Sequence, residues 1–460
     1  MQKIYFYNTL TRKKEEFLPL KEGEAGVYSC GPTVYWNQHI GNMYAFLFDD
    51  VLVRTLRYFG YKTKWVMNIT DVGHLTSDGD TGEDKLEKGA KREGVSIKEV
   101  AMRYEKQFLD SLKELNVKDP DTLCRATEHI PEQINLALKI EERGYAYKTK
   151  TGLVFDTGKF EDYAKFANLN LEEMDSGARV DVDEEKKKAW DFLLWITNQP
   201  EHIMKWESPW GEGFPGWHLE CTAMSTKYLG DQFDIHTGGI EHIGVHHTNE
   251  IAQGYGAFGK QTARYWLHNA WLSLKEGKMS KSEGTVITIQ DLIEKGYDPM
   301  AFRYLFLTSQ YNKGLVFSFE SLEAAGKAYK KLVNLVSEWK SGENAGNGKI
   351  NDEFKKEFDQ AMANNLSSSE ALAVVWKMVK ADIPEADKLA TLIKFNEVLG
   401  LRLEEGGEEE VPAEIEKLAL ERKRAKDNKD WSEADRIRDL LKEKGYLVED
   451  SSEGYKIKKI

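Results

Sequence analysis

Two cysteines, a histidine and a glutamate are the residues of this chain with the types and spacing for metal chemistry. His246 and Glu250 stand four apart, so a helix running through them carries an imidazole and a carboxylate on one face. Cys30 and Cys221 fall at the ends of predicted elements on either side of one predicted sheet edge. Two thiolates, one imidazole and one carboxylate make a tetrahedral zinc shell. The neighbouring His247 points about 100° away on a helix and has Ile251 as its i+4 partner, which makes His246 the better ligand. The alternative from spacing alone is two separate buried thiols with histidines satisfied elsewhere, the ordinary fate of widely spaced residues. Cys124 has no such neighbours and reads as a small buried hydrophobe.

Two further strings suit phosphate. His39-Ile40-Gly41-Asn42 opens a long apolar segment, so its backbone N–H groups and the helix dipole favour a polyphosphate, Gly41 permits close approach, and an imidazole there can donate to phosphate oxygens. Lys278-Met279-Ser280-Lys281-Ser282 lies in a Gly-flanked polar loop, where two lysines can neutralise charge that builds on phosphates during transfer. Taken singly, each string is equally well an ordinary surface loop.

The elements that must position these residues follow from the pattern. Tyr28 to Cys30 ends an apolar stretch, Met43 to Phe59 is apolar on more than one face and stops at Gly60, and Lys62 to Ile69 alternates. Strand, helix and strand within about forty residues predict a parallel βαβ unit and an α/β nucleotide-binding body. Short strands from Thr149 to Phe166 suggest an inserted α/β piece. Leu219 to Leu229 reads as a helix, Phe233 to His236 as a buried strand and His246 to Gly254 as another helix. After Ser309 helix follows helix, with linkers at 342–348 and 404–410.

The whole-chain numbers fit that body. At 460 residues the chain calls for two to four domains, and 41% hydrophobic with 31% charged residues excludes a largely disordered or membrane-spanning protein. Met1 to Tyr7 lacks the basic and apolar regions of a secretion signal, so the expected location is cytoplasmic. Three cysteines argue against a disulfide framework. A net charge of −13 neither supports nor excludes RNA, because affinity depends on local basic patches.

The two phosphate strings in this order resemble the paired signatures of class I aminoacyl-tRNA synthetases, which lie in the two halves of a Rossmann-like catalytic domain. Longer stretches narrow the resemblance to cysteinyl-tRNA synthetase: Cys30-Gly31-Pro32-Thr33-Val34-Tyr35 leading to His39, Asn68-Ile69-Thr70-Asp71, Ser208-Pro209-Trp210-Gly211, Pro215-Gly216-Trp217-His218-Leu219-Glu220-Cys221, Asp234-Ile235-His236 and His246-His247-Thr248-Asn249-Glu250. It covers nearly the whole chain. The resemblance selects the zinc reading for Cys30, Cys221, His246 and Glu250 over separate thiols. It also implies an inserted α/β segment, a helical bundle and a small C-terminal tRNA-binding unit. The boundaries expected are 1–119 and 207–265 for the catalytic halves, 120–206 for the insertion, 266–320 for a stem-contact region carrying the lysine loop, 321–403 for the bundle and 411–460 for the anticodon-binding unit.

The implied reaction has two steps. The cysteine carboxylate attacks the α-phosphate of ATP, which brings Mg2+ with it, and the terminal adenosine of tRNA(Cys) then attacks the acyl carbon. His39, Lys278 and Lys281 would carry the first step, with Gly41, Asn42, His236 and Lys281 on the nucleotide and Thr70 and Trp217 at the cysteine. An apolar pocket separates such isosteres as cysteine and serine by only about a hundredfold, against roughly 10⁴ to 10⁵ for translation; a thiolate on zinc supplies the difference. Arg422, Lys423, Arg424 and Lys426, a helix opening at Trp431 and a tail with Lys456, Lys458 and Lys459 match the tRNA-binding end of the family. A monomer without membrane contact is expected.

The chain departs from the family pattern at Asn42, at Val72-Gly73-His74, at Gly244-Val245, at Thr248 and at Glu241, none of them a proposed zinc ligand. The rival readings are a ligase of the same fold that passes activated cysteine to an amino sugar, which would lack the C-terminal unit, and a non-catalytic RNA-binding relative, against which His39 and the intact lysine loop speak.

Overall fold

The computed structural model describes residues 2–73, 84–169, 185–275, 286–342, 345–404, 413–451 and 454–459. Lys278, Lys281 and His74 lie outside the described residues, as do most of the linker at 404–410 and two residues of that at 342–348. Two units are described separately: residues 1–332 with 339–402, and residues 333–338 with 403–460.

The first unit opens with a hairpin, β1 (Tyr5–Asn8) and β2 (Lys13–Glu16), and is built on a five-stranded sheet. The sheet contains β3 (Glu24–Ser29), β4 (Lys62–Ile69), β5 (Thr122–Arg125), β10 (Phe233–Gly239) and β11 (Ala263–Asn269) in the order β11-β10-β3-β4-β5, every pair parallel. In chain order this is the doubly wound arrangement, whose strand order reverses between β3 and β10; ligands of such sheets bind beyond the carboxyl ends of the strands at that reversal. Helix α1 (Ile40–Tyr58) joins β3 to β4 and is buried along most of its length, which explains its apolar residues on more than one face. It ends on Phe59, with Gly60 in the left-handed region at φ 89°.

Helices α2 (Lys85–Glu93) and α3 (Ile97–Glu114) lie between β4 and β5. After α4 (Ile130–Glu142) comes an antiparallel sheet of β6 (Ala146–Thr149), β7 (Gly152–Phe155), β8 (Phe192–Ile196) and β9 (Phe214–Pro215). The expected boundary at residue 120 is thus corrected: β5 is the edge strand of the catalytic sheet, and the inserted strands run from Ala146 to Pro215. Helices α5 (Trp217–Leu229) and α6 (His246–Phe258) flank β10 in sequence, as the pattern predicts. The expected boundary at 266 likewise cuts through β11.

A parallel pair, β12 (Leu272–Leu274) and β13 (Leu315–Phe317), brackets α7 (Ile289–Glu294) and α8 (Pro299–Leu307). Helix α9 (Phe319–Lys340) follows, then α10 (Asp352–Ala363), α11 (Ser368–Lys380) and α12 (Glu385–Leu399). Arg303 of α8 is fully buried and pairs with Asp50 of α1, while donating to the carbonyls of Leu399 (2.7 Å) and Leu115 (2.9 Å).

In the second unit α13 (Ala413–Asp427), α14 (Trp431–Glu443) and the antiparallel strands β14 (Tyr446–Ser451) and β15 (Gly454–Lys459) close a small core of Ile415, Ala419, Ile437, Leu441 and Val448. Trp431 is exposed, but Arg422, expected to face phosphates, is buried; Lys417, Lys423 and Arg424 are the exposed cations of α13. No helix among the described residues is long and apolar enough to cross a membrane.

Candidate active site and metal centre

The proposed ligands meet where the strand order reverses. Cys30 directly follows β3, Cys221 lies in the second turn of α5, and His246 and Glu250 occupy the first turns of α6. The Cys30 and Cys221 sulfurs are 3.9 Å apart and both cysteines are free thiols. Tetrahedral zinc with Zn–S near 2.3 Å requires S···S of about 3.8 Å, so the thiol pair already has the spacing of two ligands on one ion. His246 Nε2 stands 3.1 Å from Glu250 Oε1, a buried oxygen that pairs with the ring as an ion without hydrogen-bond geometry. A buried carboxylate needs a cation beside it, whether a protonated imidazole or a metal. Donor chemistry, sulfur spacing and this buried carboxylate all fit a zinc ion.

His247 also enters the cluster, which corrects the expectation that it faces away. Its Nε2 is 3.4 Å from Cys30 Sγ and 3.9 Å from Glu250 Oε1. Cys30, His246, His247 and Glu250 all place donor atoms within 4.8 Å of one another. Helix α6 begins at His246, and its first turn lies over the Cys30 loop, so both consecutive imidazoles reach inward. Gly238 makes the room, since a Cβ there would stand 2.7 Å from ring atoms of both His242 and His247.

Each imidazole is oriented by a second one. His246 Nδ1 is 2.9 Å from His218 Nδ1, and His247 Nδ1 is 2.7 Å from His268 Nε2, whose other nitrogen meets the Thr9 hydroxyl at 2.8 Å. Such outer contacts fix ring orientation in metal sites. The sequence reading missed His218 and His268; the signal was composition, because six of the ten histidines (His218, His236, His242, His246, His247 and His268) gather here.

The electrostatics agree with a site built for ionised ligands. A hydrogen bond from Cys30 holds the Cys221 thiol at about 7 against the opposing effect of burial. Burial, reinforced by Cys221, pushes Cys30 well up. Burial would raise the Glu250 carboxyl, but His236 and His246 outweigh it and hold it at about 2. Burial would likewise lower His246, yet Glu250 and Cys221 lift it to about 10. The Glu250 carboxylate and the Cys221 thiol, which Cys30 keeps at about 7, thus converge on His246, and a divalent cation in the same place would take over the role of its proton and displace that of Cys30.

His236 is fully buried, with Nε2 3.0 Å from Glu250 Oε2 and its ring stacked on Trp266 at 4.5 Å. The resemblance implies a place for it on the nucleotide; here its Nε2 supports the Glu250 carboxylate. Thr70 is buried beyond β4, where its hydroxyl donates to Glu220 (3.1 Å) and accepts from Asn68 (3.1 Å). Trp217, half-buried at the start of α5, holds its ring 4.3 Å from that of His246, with Lys85 Nζ 5.4 Å from the indole.

The start of α1 forms a capping box. The Asn42 N–H donates to His39 Nδ1 (3.1 Å), and Asn42 Oδ1 accepts from the His39 N–H (3.2 Å). Because Nδ1 accepts, the neutral ring carries its proton on Nε2, which is then a donor. No acidic residue occupies the first turn, so the helix terminus keeps its positive character. Asn42 shapes this terminus with its side chain rather than aiming it at a ligand, while Gly41 lies in the first turn. Ile40 N–H donates to Ile287 O (2.8 Å), which ties the helix start to the chain just beyond residues 276–285, where Lys278 and Lys281 lie.

A cleft of about 1240 Å3 opens elsewhere, between α2, α3 and residues 203–206, and includes none of the cluster's donors. A second group, Asp84, Glu87 and His202, sits near it; His202 Nδ1 is 3.3 Å from Asp84 and 3.5 Å from Glu87. An imidazole between two carboxylates needs no ion to explain it. The thiol-bearing cluster lies instead at the sheet reversal, where ligands of doubly wound sheets bind.

A doubly wound parallel sheet with a histidine-capped helix start beyond its first strand defines the class I aminoacyl-tRNA synthetases, and comparison bears this out. Residues 16–327 match the family described as tRNA synthetases class I (C) catalytic domain. Residues 408–455 match the cysteinyl-tRNA ligase anticodon binding domain. The chain belongs to the cysteinyl-tRNA synthetase family of ATP-dependent ligases. It is 44% identical to a cysteine–tRNA ligase of Treponema denticola over 98% of both chains. It is 45% identical to cysteine–tRNA ligase 1 of Burkholderia lata over 99% of this chain and 96% of that one. A crystal structure of Mycobacterium tuberculosis methionyl-tRNA synthetase bound by methionyl-adenylate shares the fold, with TM-score 0.56 at 15% identity over 82% of this chain and 90% of that one.

Proposed function

We propose that this chain activates L-cysteine with ATP and transfers it to the 3′ end of tRNA(Cys), and that it selects the thiolate with a zinc ion held by Cys30, Cys221, His246 and Glu250. The observation that carries the metal assignment is the 3.9 Å thiol pair at the sheet reversal, with the Cys30 sulfur within 4.8 Å of donor atoms of His246 and Glu250. Bound zinc would supply a soft Lewis acid that takes sulfur as an anion in preference to a hydroxyl. The chain's own residues do the rest. His39 Nε2 and the α1 terminus donate to the phosphates, with Mg2+ entering on ATP. Thr70 and Trp217 border the cysteine side, and Lys278 and Lys281 neutralise charge as pyrophosphate departs. His247 is the alternative imidazole ligand, supported by its 3.4 Å approach to Cys30.

The anticodon-binding match at residues 408–455 favours tRNA over an amino-sugar acceptor. Residues 411–460 would meet the anticodon, with 321–403 as bundle and 270–320, beyond β11, on the acceptor stem. The test is zinc content by atomic absorption, beside cysteine- and serine-dependent ATP–pyrophosphate exchange and charging of tRNA(Cys), for wild type, Cys221→Ser and the single alanine variants of His246 and His247. One zinc per chain is expected in wild type and a loss of zinc in Cys221→Ser and His246→Ala. Wild-type protein that activates cysteine over serine with no zinc bound would refute the metal reading, and exchange without charging would refute the tRNA reading.

A further inference from the structure

Trp271 is a large aromatic side chain with 65% of its surface exposed, and its ring is held in place rather than left loose. Its Nε1 donates to Glu241 Oε2 at 3.0 Å, and the Glu241 carboxylate folds back over Gly239, where a Cβ would stand 2.4 Å from it. The Trp271 carbonyl accepts from Leu315 N–H (3.2 Å), which fixes the residue's backbone to the β12–β13 pair. In that pair Leu272 lies opposite Leu315 and Ser273 opposite Val316. Side chains alternate along a strand and paired residues share a face, so Trp271, Ser273, Gly314 and Val316 lie on the outward face. Burial agrees, because Leu272 and Phe317 are buried while Val316 is 58% exposed. Gly314, at φ 80° beside the Trp271 carbonyl, adds no side chain to crowd the indole.

This face joins the reacting centre through one short turn. Residues Ile240–His242 follow β10, with Glu241 reaching outward to Trp271 and His242 inward to within 5.2 Å of the His246 and His247 rings. Exposed lysines flank the face, Lys313 before Gly314 and Lys275 after β12. Lys275 makes a 3.7 Å approach to Glu320, an ion pair too exposed to hold it. Three scattered exposed apolar groups, Trp271, Val316 and Ile240, are too few for a protein partner, which needs roughly 800 Å2 per side. A fixed ring face on a strand pair with an exposed lysine at either end suits an unpaired base with its phosphates, since every base has a π-face and stacking tolerates sequence.

We infer that the outward face of β12–β13, centred on Trp271, is a stacking platform for an unpaired nucleotide at the 3′ end of the RNA substrate, which it steers toward the activated amino acid. This rests on the tRNA-charging reading above. The test uses full-length protein with Trp271→Ala and Trp271→Phe, assayed by tRNA(Cys) charging and by cysteine-dependent ATP–pyrophosphate exchange. Stacking losses per base predict a fall of roughly 5- to 150-fold in kcat/KM for tRNA with Trp271→Ala, a largely restored value with Trp271→Phe, and exchange within about twofold of wild type. Binding to tRNA trimmed of its unpaired 3′ nucleotides should be equal for wild type and Trp271→Ala. Unchanged charging by Trp271→Ala overturns the inference, as does an equal fall in exchange, which would assign the ring to ATP or to the fold. A binding defect that persists on trimmed tRNA also overturns it. Wild type that exchanges but never charges overturns the tRNA reading itself, and the platform with it.

Discussion

The capping box at the start of α1 gives His39 two separable jobs, and one pair of substitutions distinguishes them. As the cap, its Nδ1 accepts the Asn42 N–H at 3.1 Å; as a phosphate donor, its Nε2 bears the proton. Asparagine ranks among the best capping residues, so His39→Asn keeps an acceptor for the helix while removing the imidazole donor. Its stability in urea should stay within about 0.5 kcal/mol of wild type, whereas His39→Ala should lose about 1 kcal/mol. Removing one preorganised donor aimed at developing charge costs about 2.7–4 kcal/mol, or 10²- to 10³-fold in rate. Both variants should therefore slow cysteine-dependent ATP–pyrophosphate exchange by about that factor, in the kcat term with little change in KM for cysteine. If His39→Asn keeps exchange within about threefold of wild type while His39→Ala loses it, the ring acts only as a cap and the assignment of Nε2 to the phosphates is wrong.

Two further outcomes rest on buried charge. Arg303→Met leaves Asp50 with Arg54 as its remaining guanidinium and orphans the Leu399 and Leu115 carbonyls, so urea unfolding should show a loss of about 3–5 kcal/mol; a change below about 1 kcal/mol would contradict the network. Asp49 is 3% exposed on α1, and burial lifts its carboxyl to about 7 despite hydrogen bonds from Thr237 and Ser29. Its unfolded value is near 3.9, so the folded chain holds the extra proton between those limits, and the group's contribution to stability falls as pH rises from about 4 to 7. Asp49→Asn should remove that slope, so that its stability relative to wild type grows across this window; a difference that stays flat with pH would refute the assignment.

How much of this was legible in the sequence depended on length and on glycines. Helix α1 and strand β4 emerge within a residue or two because each is long enough to show its period and is punctuated by Gly60. Strand β5 has four residues, and β12 and β13 have three each, too few for any period to register; the boundary at 120 therefore fell on the wrong side of a sheet strand, and the Trp271 platform went unseen. The place of His236 came from the resemblance and not from the pattern: all seven residues of β10 are buried, so alternation offers no face to read. Arg422 shows the limit from the other side, since in a helix where acids and bases alternate nothing in the pattern marks the one cation that turns inward.

The ligand set shows what spacing does and does not decide. The interval between His246 and Glu250 puts both on one face of α6 wherever that helix lies, so it survives any error in tertiary placement. The position of His247 depends on which residue begins the helix and on how its first turn meets the Cys30 loop, and neither is written in the interval. The ligands also come from both halves of the doubly wound sheet: Cys30 follows a strand of the first, while Cys221, His246 and Glu250 belong to helices of the second. The β3–β10 pairing that joins the halves, Val27 to Ile235 through Ser29 to Thr237, runs directly beneath them. An ion at this seam would be held by the same hydrogen-bonded register that sets the distance from the cysteine side to the His39 helix. On the proposed reading, amino-acid selection and phosphate chemistry would share one frame, and a shift of either site would strain the strand pairing that carries both.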